Sequence, residues 1–267
     1  MKIAFIGGGN MASALIAGLA GHELHVVDPN PEALARLKAQ YGVSTSHAID
    51  AALAASDVIV LAVKPQNMRE VAASLLPHLS AAQPLILSIA AGIRGADLAR
   101  WLGGYGAIVR TMPNTPALIG LGITGMVAMK GVSAAQKAAA DDIMKAVGAT
   151  VWLEDEAQID PVTAVSGSGP AYVFYFIEAM QQAAVEMGLS EEQGRQLALA
   201  TFVGAAQLAA QSSDPVPLLR EKVTSKGGTT YAALTSMEQS GVKEKIIAAM
   251  KAAAARGREL GDELGAD

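Results

Sequence analysis

Near the start of the chain, residues 3–12 read Ile-Ala-Phe-Ile-Gly-Gly-Gly-Asn-Met-Ala, an apolar run that breaks into glycines and then opens a helix-like segment. The pattern is Gly7-x-Gly9-x-x-Ala12 after a predicted strand, and each residue type has a physical use. Gly7 permits a tight turn with positive φ. Gly9 lacks a Cβ, so a pyrophosphate can approach the backbone. Ala12 stands for a third glycine and still lets helix and strand pack closely. The N–H groups and dipole at the start of that helix then face the phosphates. By itself such a triplet is also compatible with a plain glycine-rich turn. A second apolar run favours the dinucleotide reading: Val26-Val27-Asp28 closes it and puts an acid where these folds hold the adenosine ribose.

Ligands in such sheets lie at the carboxyl ends of strands, and three further stretches fall there. They are Ala62-Val63-Lys64-Pro65, Ser88-Ile89-Ala90-Ala91-Gly92 and Arg110-Thr111-Met112-Pro113-Asn114-Thr115-Pro116. Singly, each reads equally well as a strand exit, a small-residue turn or a proline-set loop. Together they make a smooth slot for a flat cofactor. Lys64 is expected to be solvated, with no chemical role.

In the second half, Val223-Thr224-Ser225-Lys226-Gly227-Gly228-Thr229-Thr230 opens another helical segment. Gly227 and Gly228 can expose consecutive N–H groups, and Thr229 or Thr230 can cap the helix or reach a ligand, which suits a small carboxylate. A well-capped loop is the competing reading. Ser166-Gly167-Ser168-Gly169-Pro170-Ala171-Tyr172 places Pro170 in the first turn of a long helix, which serves packing as readily as ligand contact.

Acids and bases are scarce. His22, His25, His47 and His78 lie outside these loops and are expected at the surface. No Ser-His-Asp set and no metal-ligand spacing is arguable. Glu156 is the carboxylate to single out, although a Glu that starts a helix commonly serves the dipole. A nicotinamide enzyme without an obvious acid should reduce a group that is already easy to protonate, an imine rather than a ketone.

The elements that must position these residues change character along the chain. Strands are predicted at 2–6, 23–28, 57–63, 84–89, 106–111, 122–129 and 149–153. Helices are predicted between them at 10–20, 31–40, 47–55, 67–76, 95–102 and 134–147. Fully apolar strands such as Val58–Val63 suit a parallel sheet covered on both faces, and the alternation implies an α/β, doubly wound, Rossmann-like, mostly parallel sheet. After Asp155 the pattern is helical: 156–166, 170–187, 191–211, 215–222, 229–239 and 242–264. The expected division is a dinucleotide-binding domain at 1–156 and an all-helical domain for substrate and dimerisation at 157–267.

The chain has 267 residues, 51% hydrophobic and 17% charged, with net charge −5 and no cysteine. The negative charge argues against a nucleic-acid partner. The absence of cysteine excludes disulfides, thiol nucleophiles and Cys metal sites. Mean hydropathy is +0.32, yet the apolar runs fall far short of the roughly 20 residues that span a bilayer. No signal peptide precedes the first strand, so a cytoplasmic location without membrane contact is expected.

These residues resemble the pyrroline-5-carboxylate reductase family nearly end to end. The resemblance rests on Phe5-Ile6-Gly7-Gly8-Gly9-Asn10-Met11, Ala62-Val63-Lys64-Pro65, Ser88–Gly92, Met112–Pro116, Ser166–Tyr172 and, most specifically, Gly227-Gly228-Thr229-Thr230. It implies NAD(P)H-dependent reduction of the cyclic imine 1-pyrroline-5-carboxylate to L-proline, the last step of proline synthesis. It also implies a homodimer interlocked through the helical domains, or a higher ring of such dimers.

By position, the resemblance makes Thr230 the substrate-contacting, catalytic threonine, with its hydroxyl on the ring nitrogen. The Gly227 and Gly228 N–H groups and Thr229 would hold the carboxylate, and Glu156 would lie near the substrate. Ile6 through Met11, Asp28, Ala62 through Pro65, Ala90-Ala91-Gly92, Asn114 and Lys222 would contact the cofactor, with no metal. Where the family pattern has proline before the glycine pair this chain has Lys226, so the loop is less preset in φ. The family uses NADPH well, whereas Asp28 is the kind of acid that favours NAD(H). NADP(H) is expected to bind, with NAD(H) also usable.

Two other readings stay open. A β-hydroxyacid dehydrogenase shares the two-domain plan but needs a Lys base where this chain has Val173. A non-catalytic dinucleotide sensor would bind cofactor without turnover.

Overall fold

The computed structural model describes residues 1–79 and 83–266. The chain forms two compact units, one of residues 1–168 joined by the stretch from Ala252 onward, the other Gly169–Lys251.

The first unit is built on one sheet. Its strands are β1 (Lys2–Ile6), β2 (Glu23–Val27), β3 (Ser44–Ser46), β4 (Val58–Leu61), β5 (Leu85–Ser88), β6 (Ile108–Met112), β7 (Gly122–Ala128) and β8 (Gly148–Trp152). Their spatial order is β3-β2-β1-β4-β5-β6-β7-β8. Pairing is parallel from β3 through to β6, antiparallel between β6 and β7, and parallel again between β7 and β8. The chain winds outward from β1 to β3, then crosses back to β4 on the other side. That reversal opens a crevice beyond the carboxyl ends of β1 and β4.

Helices cover both faces, which is why the central strands are apolar throughout. The helices of this unit are α1 (Asn10–Gly18), α2 (Pro31–Tyr41), α3 (Ala51–Ala54), α4 (Met68–Leu75), α5 (Gly95–Trp101), α6 (Ala134–Lys145) and α7 (Ile159–Val162). Side chains alternate between faces with period two. Ile3, Phe5, Val58, Val60, Leu85 and Leu87 therefore join Leu15, Leu37 and Ile143 in one core layer. Ala4, Ile6, Ile59, Leu61 and Ile86 join Met68, Leu75 and Leu98 in the other. Caps set the helix ends. Asn30 accepts from the Glu32 and Ala33 N–H groups beside Pro31, and Gly42 closes α2 at φ 69°.

Three local expectations change. β3 is an added strand of three polar or hydroxyl residues, held by pairing to β2 rather than by any apolar run. The helix expected at 47–55 shortens to α3, because Asp50 caps it by accepting from the Leu53 N–H. The helix expected at 156–166 divides into a 3₁₀ turn at Glu156–Gln158, α7 and a π turn at Thr163–Gly167.

The second unit is helical: α8 (Gly169–Glu186), α9 (Glu191–Gln211), α10 (Val216–Lys222), α11 (Thr229–Gln239) and the first part of α12 (Val242–Gly265). Ser190 and Gln193 form a capping box on α9. A Cβ at Gly194 would lie 3.0 Å from that of Ala184, so glycine brings α8 and α9 close. Ile177, Ala184 and Ala198 are buried, but Phe174, Leu197, Val203 and Leu208 are each more than half exposed.

Candidate functional site

At the mouth of the crevice Gly7 turns with φ 103°, and its N–H donates to the Val27 carbonyl at 2.8 Å. A Cβ there would lie 2.5 Å from the Ala62 carbonyl oxygen, so only glycine lets the turn pass the exit of β4. A Cβ on Gly9 would meet nothing within 4 Å, which leaves that backbone open to an approaching group. Gly9 caps α1 without any side-chain acceptor, so the first N–H groups of the helix, on Asn10 and Met11, remain donors for an anion. Ala12 is buried against the core, as its small size requires.

Asp28 stands at the end of β2. Its Oδ2 accepts from the Gly8 N–H at 2.6 Å and its Oδ1 from the Asn30 N–H at 2.8 Å. A cavity of about 780 Å³ runs past it, lined by Ile6, Gly7, Gly9, Asp28, Ala62, Val63 and Lys64 among the expected residues. An open glycine backbone, an uncapped helix start and a fixed carboxylate at the ribose position fit a dinucleotide.

The cavity also has walls that the sequence does not single out. His47, Ala48 and Ile49 follow β3, and Asn67, Glu70, Val71, Ser74 and His78 come from α4 and its flanks. His47, at the surface as expected, and the half-buried His78 border this cavity, and among the expected surface histidines His25 needs correcting. His25 is buried, with Nδ1 2.8 Å from the Ser44 hydroxyl and Nε2 3.2 Å from Asp50. Arg36, equally unmarked in the sequence, lies one helical turn into α2, and its Nη2 donates to the Gly8 carbonyl at 3.3 Å. Its distance along the sequence hides a cation that the fold brings to the glycine turn.

The remaining expected cofactor residues do not line this cavity. Pro65 starts a 3₁₀ turn, and Ala90 is buried in the second core layer. Gly92, at φ 76°, packs under Leu264, next to Ala91. Asn114 spans two backbone segments, donating from Nδ2 to the Ser166 carbonyl at 3.2 Å and accepting at Oδ1 from the Ile123 N–H at 3.0 Å. Glu156 Oε1 accepts from Arg110 Nη1 at 2.8 Å and from the Gly95 N–H at 2.5 Å. Arg110 is buried, so this carboxylate compensates an interior charge and caps α5 from a distance.

In the helical unit, Gly227 takes φ 74° and Gly228 caps α11 with no side-chain bond. Both glycine N–H groups were expected to be free for a ligand. The structure corrects this, because the Gly228 N–H already donates to the Ser225 carbonyl at 3.0 Å. The spare donors are the N–H groups of the first turn of α11, from Thr229 onward. Thr229 and Thr230 are exposed. Lys222 pairs with Asp214 in the same unit.

A two-faced α/β sheet with an open glycine turn, followed by a helical unit, defines a dinucleotide-binding protein of the oxidoreductase type. Two family models match its parts. Residues 2–92 match a family described as NADP oxidoreductase, coenzyme F420-dependent, and residues 156–260 match pyrroline-5-carboxylate reductase dimerisation. The pyrroline-5-carboxylate reductase of Pseudomonas aeruginosa is 46% identical over 99% of this chain and 98% of its own length. That of Haemophilus influenzae is 43% identical over 97% of each. Among solved structures, a pyrroline-5-carboxylate reductase from Coxiella burnetii superposes with TM-score 0.91 at 40% identity over 97% of both chains. A pyrroline carboxylate reductase from Plasmodium falciparum with NADP bound superposes with TM-score 0.87 at 32% identity over 98% of both. This chain belongs to the pyrroline-5-carboxylate reductase family.

Proposed function

We propose that the chain reduces the ring C=N bond of 1-pyrroline-5-carboxylate to give L-proline, the closing step of proline synthesis. The observation that carries this reading is the end-to-end match to a named reductase, covering 99% of one chain and 98% of the other. Both the open turn at Gly7–Gly9 and the Gly227–Thr230 turn lie within it. Bound NAD(P)H supplies the hydride, and the imine nitrogen takes up one proton.

The chain's own groups bind and orient. The N–H groups opening α1 take the pyrophosphate, and Asp28 takes the ribose hydroxyls. The N–H groups opening α11, with Thr229, take the substrate carboxylate. The Thr230 hydroxyl hydrogen-bonds the ring nitrogen and fixes which face of the ring is presented. Positioning of this kind can supply about 7–11 kcal/mol of the barrier reduction. No general acid is needed if the substrate arrives as the iminium ion.

The working form is a homodimer joined through the helical units, and rings of such dimers are the higher assembly. The dimerisation match at 156–260 and the exposed apolar side chains of α8 and α9 support this. The reaction is placed in the cytoplasm. Among the described residues no helix is long and apolar enough to cross a membrane. The test is oxidation of NADPH, followed by its absorbance, on addition of pyrroline-5-carboxylate, with proline identified as product. Cofactor binding without turnover would overturn the reading in favour of a sensor.

A further inference from the structure

The turn between β5 and α5, residues 89–94, leads out of a strand beside the crevice. It is also gripped by a part of the chain more than 160 residues away. The last turns of α12 return to the first unit and lie against it through glycines spaced four apart: Gly257, Gly261 and Gly265. A Cβ on Gly257 would make only an ordinary contact, 3.4 Å from Asp160 Oδ1, whereas the other two glycines sit where a side chain would collide. A Cβ on Gly261 would stand 2.9 Å from Nε of Arg94 and 3.0 Å from its Nη2, and one on Gly265 would run into the Asp97 carboxylate.

Arginines close the contact. Arg94 Nη2 donates to the Arg258 carbonyl at 3.1 Å and lies 2.7 Å from Asp262 Oδ1. Arg100 Nη2 donates to the Gly265 carbonyl at 2.7 Å, putting a cation at the negative end of the α12 dipole. Beneath them Leu264 covers Gly92, with Cδ1 3.0 Å from where its Cβ would be. On the opposite side the Gly95 N–H is held by Glu156 at 2.5 Å.

The exposed Arg94–Asp262 pair contributes little by itself. The contact as a whole leaves the turn few alternatives. One end is tied at Gly95, the middle is covered at Gly92, and the partly exposed Arg94 side chain bridges to α12. A turn that lies outside the carboxyl end of β5 is where a dinucleotide crossing the β1–β4 crevice extends away from its ribose end. A turn ordered in advance spares the cofactor the ordering entropy on binding.

We propose that the C-terminal segment of α12 is a strap that pre-orders the β5–α5 turn for the nicotinamide half of the cofactor, with Arg94, Gly261 and Arg100 as positioning residues. The inference rests on the reading that the chain binds NAD(P)H, but its test does not require turnover. Gly261→Leu should displace the Arg94 guanidinium from α12 and break the grip, and Arg94→Met should remove the grip while keeping the aliphatic stem.

In each variant, deuterium exchange of peptides covering 89–96 should accelerate. The dissociation constant for NADPH, read by calorimetry, should rise about tenfold, the equivalent of ordering one backbone residue. KM for NADPH should rise in step while KM for pyrroline-5-carboxylate holds. If Gly261→Leu fails to fold, Arg94→Met decides alone. Faster exchange with unchanged NADPH affinity would overturn the proposal, as would unchanged exchange. A parent protein that binds NADPH but does not turn over pyrroline-5-carboxylate would defeat the functional reading, and the affinity comparison would still judge the strap.

Discussion

Both cofactors are expected to work, and replacing Asp28 by Ser should shift the preference toward NADPH. Asp28 is held in place by the Gly8 and Asn30 N–H groups, at 2.6 and 2.8 Å, so its charge cannot swing away from the cavity. A 2′-phosphate on the ribose would stand close to it. Two unit charges 4 Å apart repel by about 1 kcal/mol at the dielectric of water and about 4 kcal/mol at an effective value of 20. Asp28 is half-buried beside an open cavity, so a penalty of about 1–3 kcal/mol is reasonable, about fivefold to a hundredfold in affinity. The substitution also takes a charged acceptor from the ribose hydroxyls of NADH, worth about 1.5–3 kcal/mol. Both effects move the ratio the same way, and a shift of at least about tenfold is expected. Arg36, bonded to the Gly8 carbonyl, gains in importance once the carboxylate is gone. Arg36→Ala in the Asp28→Ser background should weaken NADP⁺ more than NAD⁺. Calorimetric dissociation constants for the two oxidised cofactors, with kcat/KM for the reduced ones, measure this. An unchanged NADP⁺/NAD⁺ ratio would mean that Asp28 only braces the glycine turn.

Thr230→Ala should lower kcat/KM by about ten- to a hundredfold, the worth of one hydrogen bond to a charged group, with the melting temperature held, because its side chain is exposed. Parent-like activity would remove Thr230 from the reaction. Glu156→Ala should destabilise the fold by about 3 kcal/mol or more, since it strands the buried Arg110 charge. A normal melting temperature with poor activity would instead place Glu156 at the substrate. The Asp141 carboxyl is held below its ordinary value, first by Lys145, then by the Thr150 hydroxyl and Trp152 indole against the opposing effect of burial. Its folded value lies below the unfolded one, so its contribution is present above the ordinary carboxylate range and is lost as pH falls through the folded value. Asp141→Asn should therefore lower the melting temperature at neutral pH and do so progressively less in acid, read as melting temperature against pH. Activity should fall on dilution together with dimer dissociation, followed by light scattering, and a fully active monomer would refute the assembly.

Much of this protein is local and therefore legible in its residues. Central strands read as unbroken apolar runs because helices cover both faces of the sheet. The helices 191–211 and 229–239 end where their caps and glycines put them. The turn at Gly7–Gly9 announces itself because its requirement, a backbone without Cβ, can be met by one residue type alone. Asp28 is marked by its distance from that turn. What tertiary structure decided is whatever depends on partners far along the chain. β3 carries no apolar signal and exists through its pairing with β2. The reversed direction of β7 and β8 leaves no mark in their composition. His25 is polar by type, yet the fold gives it Ser44 and Asp50 and buries it. Arg36 reaches Gly8 only because α2 folds back over the turn. Glu156 and Arg110 meet across 46 residues, and Arg100 meets Gly265 across 165. Periodicity and turn chemistry specify which element forms. A charge or hydroxyl has no such period, and its role is set by whichever group the packing brings within hydrogen-bonding distance.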